Sequence, residues 1–541
     1  MNYPWHTRVL LALASGLALA LSFPNYNLSL LAWVAVGLLL LASYRSRPAV
    51  APVYGFLHAL VFYPVSLPWM DVVMRQYGNV PAWTSAGILG LVAIAGGIIC
   101  AFFAWGVAVA SRKSAALACA LAPALWVTLE FARANLPIFA FPWNLIGYAP
   151  SGNLTLVQLT AVTGIYGLSF VVAGYGSLVA YAVLVGTQRA WKTVLMTTAA
   201  LILVAVGGRY LVPSAAPRFV AHLVQTNFPQ SETYPPNWMQ LHARELDQLD
   251  RISVDAATKA PRPSDQPDQP NLPSLIVWPE VPAPFTFQDA DFAARATEIA
   301  RDSHSDFLVG VVDWKKDAAG HWLATNSAVL LDPSGRRVFT YDKIHLVPFG
   351  EYVPLRRWLT FAGKLTADIG DFTPGSAHEV GNLQVEQGYF PSSGPKFGAF
   401  ICYEAVFPGS VRQFTAGGAQ LLINISNDGW FGRSAAPAQH LMMARVRAVE
   451  NRRWLLRDTN NGFTVAVDPY GRIAAELATD IRGELDAPYD FRSGLTPYVR
   501  FGDWFAWLCV IESIALLGAS IKMRKDKGLS QKQGNENSTG H

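Results

Sequence analysis

Cysteine is scarce. Four in 541 residues leave no material for a scaffold built on disulfides. Charge is scarce as well: Asp, Glu, Lys and Arg make up 15% of the chain, too little to solvate an ordinary soluble globule of this length. The net charge is only +4, and there is neither a long basic run nor a nucleic-acid-binding motif, which excludes a nucleic-acid partner. HExxH, a CxxC pair and clustered histidines are all missing, so no metal is expected. A GxSxG elbow, a Walker A loop and a dinucleotide fingerprint are missing too, so no cofactor is expected.

What the chain has in excess is apolar: 52% of it is hydrophobic. The apolar residues gather in long uncharged runs at Val9–Phe23, Leu28–Ser43, Ala49–Trp69, Trp83–Ala110, Ala115–Leu129, Leu156–Gly186, Val194–Val212 and Trp504–Ile521. A membrane-spanning helix needs about 20 such residues, so these read as eight spans. Arg8 ahead of the first, small-residue run also fits a cleaved signal peptide; the second run, starting almost at once after Pro24, favours a retained helical hairpin. Alternate connections are basic: Tyr44–Arg47, Ser111–Lys113, Gln188–Lys192 and the tail from Lys522. The others carry no Lys or Arg, or one each, Arg75 and Arg133. Basic loops stay on the cytoplasmic side, so both termini are expected inside and the stretch from Pro213 to Asp503 outside. Glu130 and Arg133, three apart, are expected to pair on one helix face. The small residues of Gly87–Gly97 are expected to allow close helix packing.

The roughly 290 residues between the seventh and eighth runs are enough for one large core. Short apolar runs alternate there with helical patterns. Strands are expected at Phe219–Gln225, Ser274–Trp278, Phe307–Val312, Ser327–Leu331, Phe397–Cys402, Leu421–Ile425 and Phe463–Val467. Helices are expected at Trp238–Ile252, Asp291–Asp302 and Ala436–Arg453. Strands with so little polar alternation are covered by helices on both sides. Asp332-Pro333-Ser334-Gly335 and Asp468-Pro469-Tyr470-Gly471 read as hairpin turns. The Pro/Asp/Gln-rich stretch Lys259–Pro273 reads as a disordered surface loop. The domain reading is therefore 1–212 for seven spans, 213–503 for an exported α/β domain, and 504–541 for an eighth span and tail.

Three strand ends carry chemistry. One apolar strand stops at Pro279-Glu280. Lys343 sits in an aromatic and apolar setting, Tyr341 to Glu351. Cys402 closes the run Phe397–Cys402 and is the only cysteine between Pro213 and Arg500. An unpaired thiol in an oxidising compartment is a liability, which argues for a chemical task; the competing reading is a buried thiol acting as a small hydrophobe. A sheet covered on both sides gathers its strand ends into one crevice. An acid, a base and a thiol meeting there can do acyl-thioester chemistry. The thiol needs help to ionise, Glu280 can take its proton, and Lys343 can stabilise the developing negative charge.

This constellation resembles the nitrilase superfamily. The longer motifs resemble its membrane-anchored branch, the apolipoprotein N-acyltransferases: YDKIHLVPFGEYVP (Tyr341 to Pro354), Cys402-Tyr403-Glu404, NISNDGWFG (Asn424 to Gly432), PWNLIGY (Pro142 to Tyr148), GIYG (Gly164 to Gly167) and the seven-plus-one arrangement of spans. The resemblance covers nearly the whole chain; the loop at 259–273 and the tail after Lys527 are least like it. It implies an αββα sandwich inserted in an eight-helix bundle of the bacterial inner membrane; the sequence leaves the oligomeric state open, with a monomer expected. The resemblance also implies an acyl chain passed from a phospholipid to Cys402, and then to the α-amino group of a diacylglyceryl-cysteine apolipoprotein. Glu280, Lys343 and Cys402 match the catalytic triad. Glu351 matches a second acid beside the lysine. Tyr403 is read as site-shaping, and Glu404 as a structural or orienting acid. Trp238 matches a tryptophan near the substrate entrance, with a core role as the competing reading. Trp430 and Phe431 either contact lipid or cap the sheet. The alternative activity is a membrane-anchored amidase releasing the acyl group to water. A transporter or receptor with an inactive nitrilase-like domain is opposed by the intact triad.

Overall fold

The computed structural model describes residues 3–136, 140–231, 234–259, 274–352, 372–384 and 394–536, with the side chains of 259 and 522–536 excepted. The chain forms two compact units. One comprises Met1–Pro68, Ala86–Leu211 and Asp503–His541, the other Trp69–Ser85 and Val212–Gly502.

The first unit is helical. Five of its helices are long and apolar enough to cross a membrane: Ala82–Ser111, Ala115–Asn135, Ile165–Val185, Gln188–Tyr210 and Trp504–Ile521. A sixth arises if Pro52–Ser66 is counted together with Trp69–Gln76, while Trp5–Leu21 and Ser29–Ser43 are apolar but shorter. Where eight spans were expected, length and composition thus support five or six. One break explains part of the difference, and a second shortens a span without removing it. The run ending at Trp69 stops as a helix at Ser66, just before Leu67-Pro68, because proline disfavours helical backbone in the residue before it. The run Leu156–Gly186 is divided by Gly164, whose φ of +64° no helix interior accepts; the long helix begins only at Ile165.

Buried polar groups in this unit are held individually. Arg8 donates to Ala42 O at 2.8 Å and Tyr44 O at 2.7 Å, at the end of the second apolar helix. The expected Glu130–Arg133 pair does not form. Glu130 instead accepts from Trp126 Nε1 and the Ile146 amide, and Arg133 donates to Tyr63 OH and Trp143 O. In the small-residue stretch, Gly96 and Gly97 admit the rings of Tyr63 and Phe56, whereas Gly87 and Gly90 face open space.

The second unit contains twelve strands among its described residues. They are β1 (Phe219–Gln225), β2 (Leu275–Val277), β3 (Asp306–Lys316), β4 (Trp322–Leu331), β5 (Arg337–Asp342), β6 (Val380–Asn382), β7 (Lys396–Ile401), β8 (Leu421–Ser426), β9 (Leu455–Thr459), β10 (Thr464–Val467), β11 (Ile473–Leu477) and β12 (Gly483–Tyr489). They make two six-stranded sheets, ordered β12-β1-β2-β3-β4-β5 and β11-β10-β9-β8-β7-β6. In each, three parallel strands (β1-β2-β3 and β7-β8-β9) are flanked by antiparallel ones. The period-2 alternation of side chains explains the layering. Leu275, Val277 and Leu308 point into a core shared with Phe397, Ala399, Ile423 and Ile425 of the other sheet. Ile276, Phe307 and Val309 point the other way, onto Leu246, Leu249, Phe292 and Ile299 of the helices Ala243–Lys259 and Ala290–Asp302. Pro408–Ala416 and Ala436–Asn451 cover the second sheet through Val411, Phe414, Ala444 and Ala448. The layers are therefore αββα. Both expected hairpin turns close as read, with Gly335 and Gly471 at φ +78° and +91°. Apart from Lys259, the Pro/Asp/Gln-rich loop lies outside the described residues.

Candidate active site

Glu280 follows β2, Lys343 follows β5 and Cys402 follows β7, so the sandwich brings three strand ends together. β2 ends because Pro279 has no amide hydrogen for the ladder. The turn beyond it lies tight against β3, where a Cβ on Gly310 would sit 2.7 Å from Glu280 Cα; only glycine permits that approach. Cys402 has φ +48°, a left-handed conformation uncommon outside glycine and concentrated at functional turns. It opens the short 3-10 turn Cys402–Val406.

The polar groups form a tight array. Lys343 Nζ donates to Glu280 Oε1 at 2.8 Å and to Glu351 Oε1 at 2.9 Å. Asn326 Nδ2 in β4 donates to the same two oxygens, at 2.8 and 2.7 Å. The Asn427 amide donates to Glu280 Oε2 at 3.0 Å and the Val347 amide to Glu351 Oε2 at 2.8 Å. Lys343 is 1% exposed and Glu280 5%. An unpaired charge would be untenable at such depth; here one ammonium is shared by two carboxylates.

Two consequences follow from the donor inventory. Among the described residues, Glu280 meets three donors at its four acceptor positions, which leaves one lone pair, and Lys343 gives two of its three hydrogens to carboxylates, which leaves one. Burial works against the charge of Lys343, but Glu280 and Glu351 more than offset it, then Cys402, and hold it well above the ordinary lysine range. Burial pushes the Cys402 thiol up, and Glu280 adds to this while Lys343 and the Ser426 hydroxyl pull it down. The resting thiol is therefore protonated and must give up its proton as it reacts.

Glu404 is fully buried and acts as a latch. Its Oε1 accepts from Tyr341 OH at 2.7 Å, Ile344 N at 2.8 Å and His345 N at 3.2 Å, and its Oε2 accepts from Ile401 N at 2.7 Å. It thus ties the chain after Lys343 to the residue before Cys402. Tyr403, buried, packs edge-on to Phe407 at 5.1 Å. Trp238 lies in an aromatic cluster with Phe228, Tyr234, His242 and Phe285 on the outer face of the first sheet, the core position of its two readings. Its neighbour Phe228 leads to Gln230, which accepts from Asn427 Nδ2 at 2.9 Å. Trp430 and Phe431 lie on the turn after β8. They meet the segment Trp69–Ser85 of the same unit: Trp430 on Tyr77 and Phe431 on Trp69, with Tyr77 OH donating to Gly429 O at 2.7 Å.

Sequence reasoning missed Asn326 and Asn427. For Asn326 a signal existed: Thr325-Asn326-Ser327 interrupts an apolar strand with amide and hydroxyl groups, which stay buried only when bonded.

An αββα sandwich with an acid, a lysine and a cysteine at its strand ends defines the carbon–nitrogen hydrolase class, and residues 273–491 match the carbon-nitrogen hydrolase family model. Residues 15–178 match the apolipoprotein N-acyltransferase N-terminal domain. Relatives named apolipoprotein N-acyltransferase include those of Geobacter metallireducens, 37% identical over 95% of both chains, and Azotobacter vinelandii, 33% identical over 95% of both. A third, from Methylococcus capsulatus, is 31% identical over 92% of this chain and 93% of its own. Among solved structures, an amidase from Nesterenkonia sp. aligns at 21% identity and a TM-score of 0.34, over 51% of this chain and 93% of that one. The chain belongs to the apolipoprotein N-acyltransferase family, a family of acyltransferase enzymes.

Proposed function

We propose that the protein moves an acyl chain from a membrane phospholipid onto Cys402, and from there to the α-amino group of the diacylglyceryl-cysteine that begins an apolipoprotein. The observation that carries this reading is the array of Glu280, Lys343 and Glu351 gathered beside Cys402. In the first half-reaction the remaining lone pair of Glu280 takes the thiol proton as Sγ attacks the ester carbonyl. The third hydrogen of Lys343 meets the oxyanion. The ester C–O bond breaks and the lysophospholipid leaves with the proton from Glu280. In the second half-reaction the amine attacks the thioester and gives its proton to Glu280, and the thiol recovers it as the C–S bond breaks. Glu351 holds Lys343. Tyr403 and Trp430 contribute to the shape of the site, and Trp238 supports it from the core.

The reading carries a topology. Eight apolar segments, some shorter than a full span, place both termini in the cytoplasm and residues 213–503 in the periplasm, following the basic loops. Impermeant cysteine labelling at Gly394 tests it: labelling from outside is expected, and reactivity only after lysis contradicts the orientation. The chemistry is tested by mass spectrometry of the protein mixed with phospholipid. One acyl chain is expected on Cys402, removable by neutral hydroxylamine and missing in Cys402→Ala. An adduct on Cys100, Cys119 or Cys509 instead overturns the assignment.

A further inference from the structure

Behind the nucleophile lies a buried group that the mechanism above does not use. His440, on the helix Ala436–Asn451, is fully buried, as are Asp428 after β8 and Arg457 in β9. His440 Nε2 lies 3.0 Å from the carbonyl oxygen of Cys402. Its Nδ1 lies 3.1 Å from Asp428 Oδ1 and 3.1 Å from Arg457 Nη2. Arg457 Nη2 also donates to Asp428 Oδ2 at 2.8 Å. The other guanidinium arm bonds Asn424 Oδ1, and Asn424 Nδ2 donates to Phe400 O in β7 at 3.0 Å. Helix, β8, β9 and β7 are thus tied together directly beneath the Cys402 turn.

The chemistry of these partners determines where the imidazole proton sits. The Cys402 carbonyl can only accept, so Nε2 at 3.0 Å carries a proton; of the two groups 3.1 Å from Nδ1, Arg457 can only donate and favours a lone pair there, while ionised Asp428 can only accept and favours a second proton. With a lone pair on Nδ1, the two hydrogens of Nη2 go one to Asp428 and one to Nδ1, and Nε2 carries the ring proton. If the ring were cationic, Nδ1–H would donate to Asp428, and Nε2 would still carry a proton. Only the neutral Nδ1–H form would turn a lone pair toward the Cys402 carbonyl, and that is the form Arg457 disfavours. Burial, with Arg457, holds His440 below the ordinary histidine range, which favours the neutral Nε2–H ring. Burial alone would raise Asp428, but the Arg457 guanidinium holds it below the ordinary carboxylate range.

We propose that His440 is a positioning residue for acyl transfer: its Nε2–H grips the Cys402 carbonyl and holds the nucleophile in its left-handed turn, while Arg457, anchored on Asp428, fixes the tautomer that makes this grip possible. Cys402 at φ +48° is held against its intrinsic preference, and such a conformation persists only where the surroundings over-determine it. A planar peptide bond means that fixing the carbonyl fixes the whole Cys402–Tyr403 unit, and with it the direction of the Cα–Cβ bond that aims Sγ. No side chain of the trio is offered as touching substrate. The inference rests on Cys402 being the acylated residue.

The test compares His440→Asn with His440→Gln in the full-length protein. A glutamine amide reaches the place of Nε2 and can donate to the carbonyl; an asparagine amide reaches only that of Nδ1. Single-turnover thioester formation from phospholipid is measured at saturation and divided by the fraction of protein that can be acylated, so that partial unfolding does not count as slow chemistry. Since a misplacement of about 1 Å costs on the order of 100-fold, His440→Asn is expected to slow the per-site rate on the order of 100-fold with little change in KM. His440→Gln is expected to recover most of that loss. Should the asparagine variant melt, His440→Leu, which has no donor, replaces it. A per-site rate near wild type in the variant lacking the donor overturns the proposal, as does an equal loss in the glutamine variant. Failure of the wild-type protein to acylate Cys402 at all is a different result, and it overturns the proposed function together with this inference.

Discussion

Glu404 offers a quantitative test of how the two halves of the site are joined. Three donors converge on its Oε1 and one, the Ile401 amide, on its Oε2. In Glu404→Gln the amide nitrogen must replace one oxygen. Placing it at Oε1 would oppose three donors, so it takes the Oε2 position and faces the Ile401 N–H, donor against donor. One charge-assisted bond is lost, worth about 1.5–3 kcal/mol, and a buried N–H is left unsatisfied at about 1–3 kcal/mol. The three bonds that remain also weaken, because a neutral acceptor is roughly half as strong as an ionised one. The first two terms come to about 2.5–6 kcal/mol, which for a domain of this size lowers Tm by on the order of 10 °C. Tyr341→Phe removes a single bond to the same carboxylate and should cost about 1.5–3 kcal/mol. Melting of the detergent-solubilised protein, followed by tryptophan fluorescence, gives both shifts, and thioester formation is measured on the same samples. Glu404→Gln should lose acylation well beyond its loss of folded protein, because the latch sets Lys343 against Cys402. A Tm within about 2 °C of wild type together with a near-normal acylation rate would refute the latch; on the scale above, that is less than about 1 kcal/mol.

Two further outcomes follow. Asp458 is fully buried in β9, and burial holds its carboxyl well above the ordinary range, against its bond with Thr464. In the window above the unfolded value of about 3.9 the folded state binds more protons than the unfolded one, so stability falls as pH rises there. Asp458→Asn should match wild type near pH 4 and exceed it increasingly toward pH 8, by no more than about 4 kcal/mol at pH 7; a gap that does not change with pH contradicts this. Lys343→Met leaves Glu280 and Glu351 buried without their shared cation, so it should abolish thioester formation and destabilise by about 3–5 kcal/mol. Lys343→Arg, whose planar fork cannot replace a compact ammonium, should not restore the reaction; full activity in either variant contradicts the assigned role.

Much of this architecture was legible in the residues because burial on both sides of a strand leaves a continuous apolar run. β1 was delimited to the residue, and β2, β7, β8 and β10 to within one or two. Strands that lie largely at the surface were not legible: β5, β11 and β12 are mostly exposed or half-buried and carry no continuous buried run, and β6 is only three residues long. β9 was missed for the opposite reason. It is wholly buried yet contains Arg457 and Asp458, whose partners Asn424, Asp428 and Thr464 become neighbours only through the fold. The helix read as Trp238–Ile252 is interrupted at His242, whose ring stacks on Trp238 at 4.4 Å. Glu280 and Cys402 stood out as candidates because each closes an apolar run, and Lys343 because of its aromatic and apolar setting. Asn326 and His440 lie within elements, where only the tertiary contacts reveal what they hold.

The central claim, that the acyl group goes to an amine and not to water, can be tested by following one label. The protein is loaded with a labelled acyl chain from phospholipid, freed of excess donor, and mixed with a diacylglyceryl-cysteine peptide bearing a free amino terminus. The account predicts that the label leaves Cys402 and appears on the peptide as an amide. The same peptide with its amine acetylated should leave the thioester largely intact, because an apolar, lipid-filled site excludes water. Rapid release of labelled fatty acid with no amine present would contradict the account and make the protein a hydrolase.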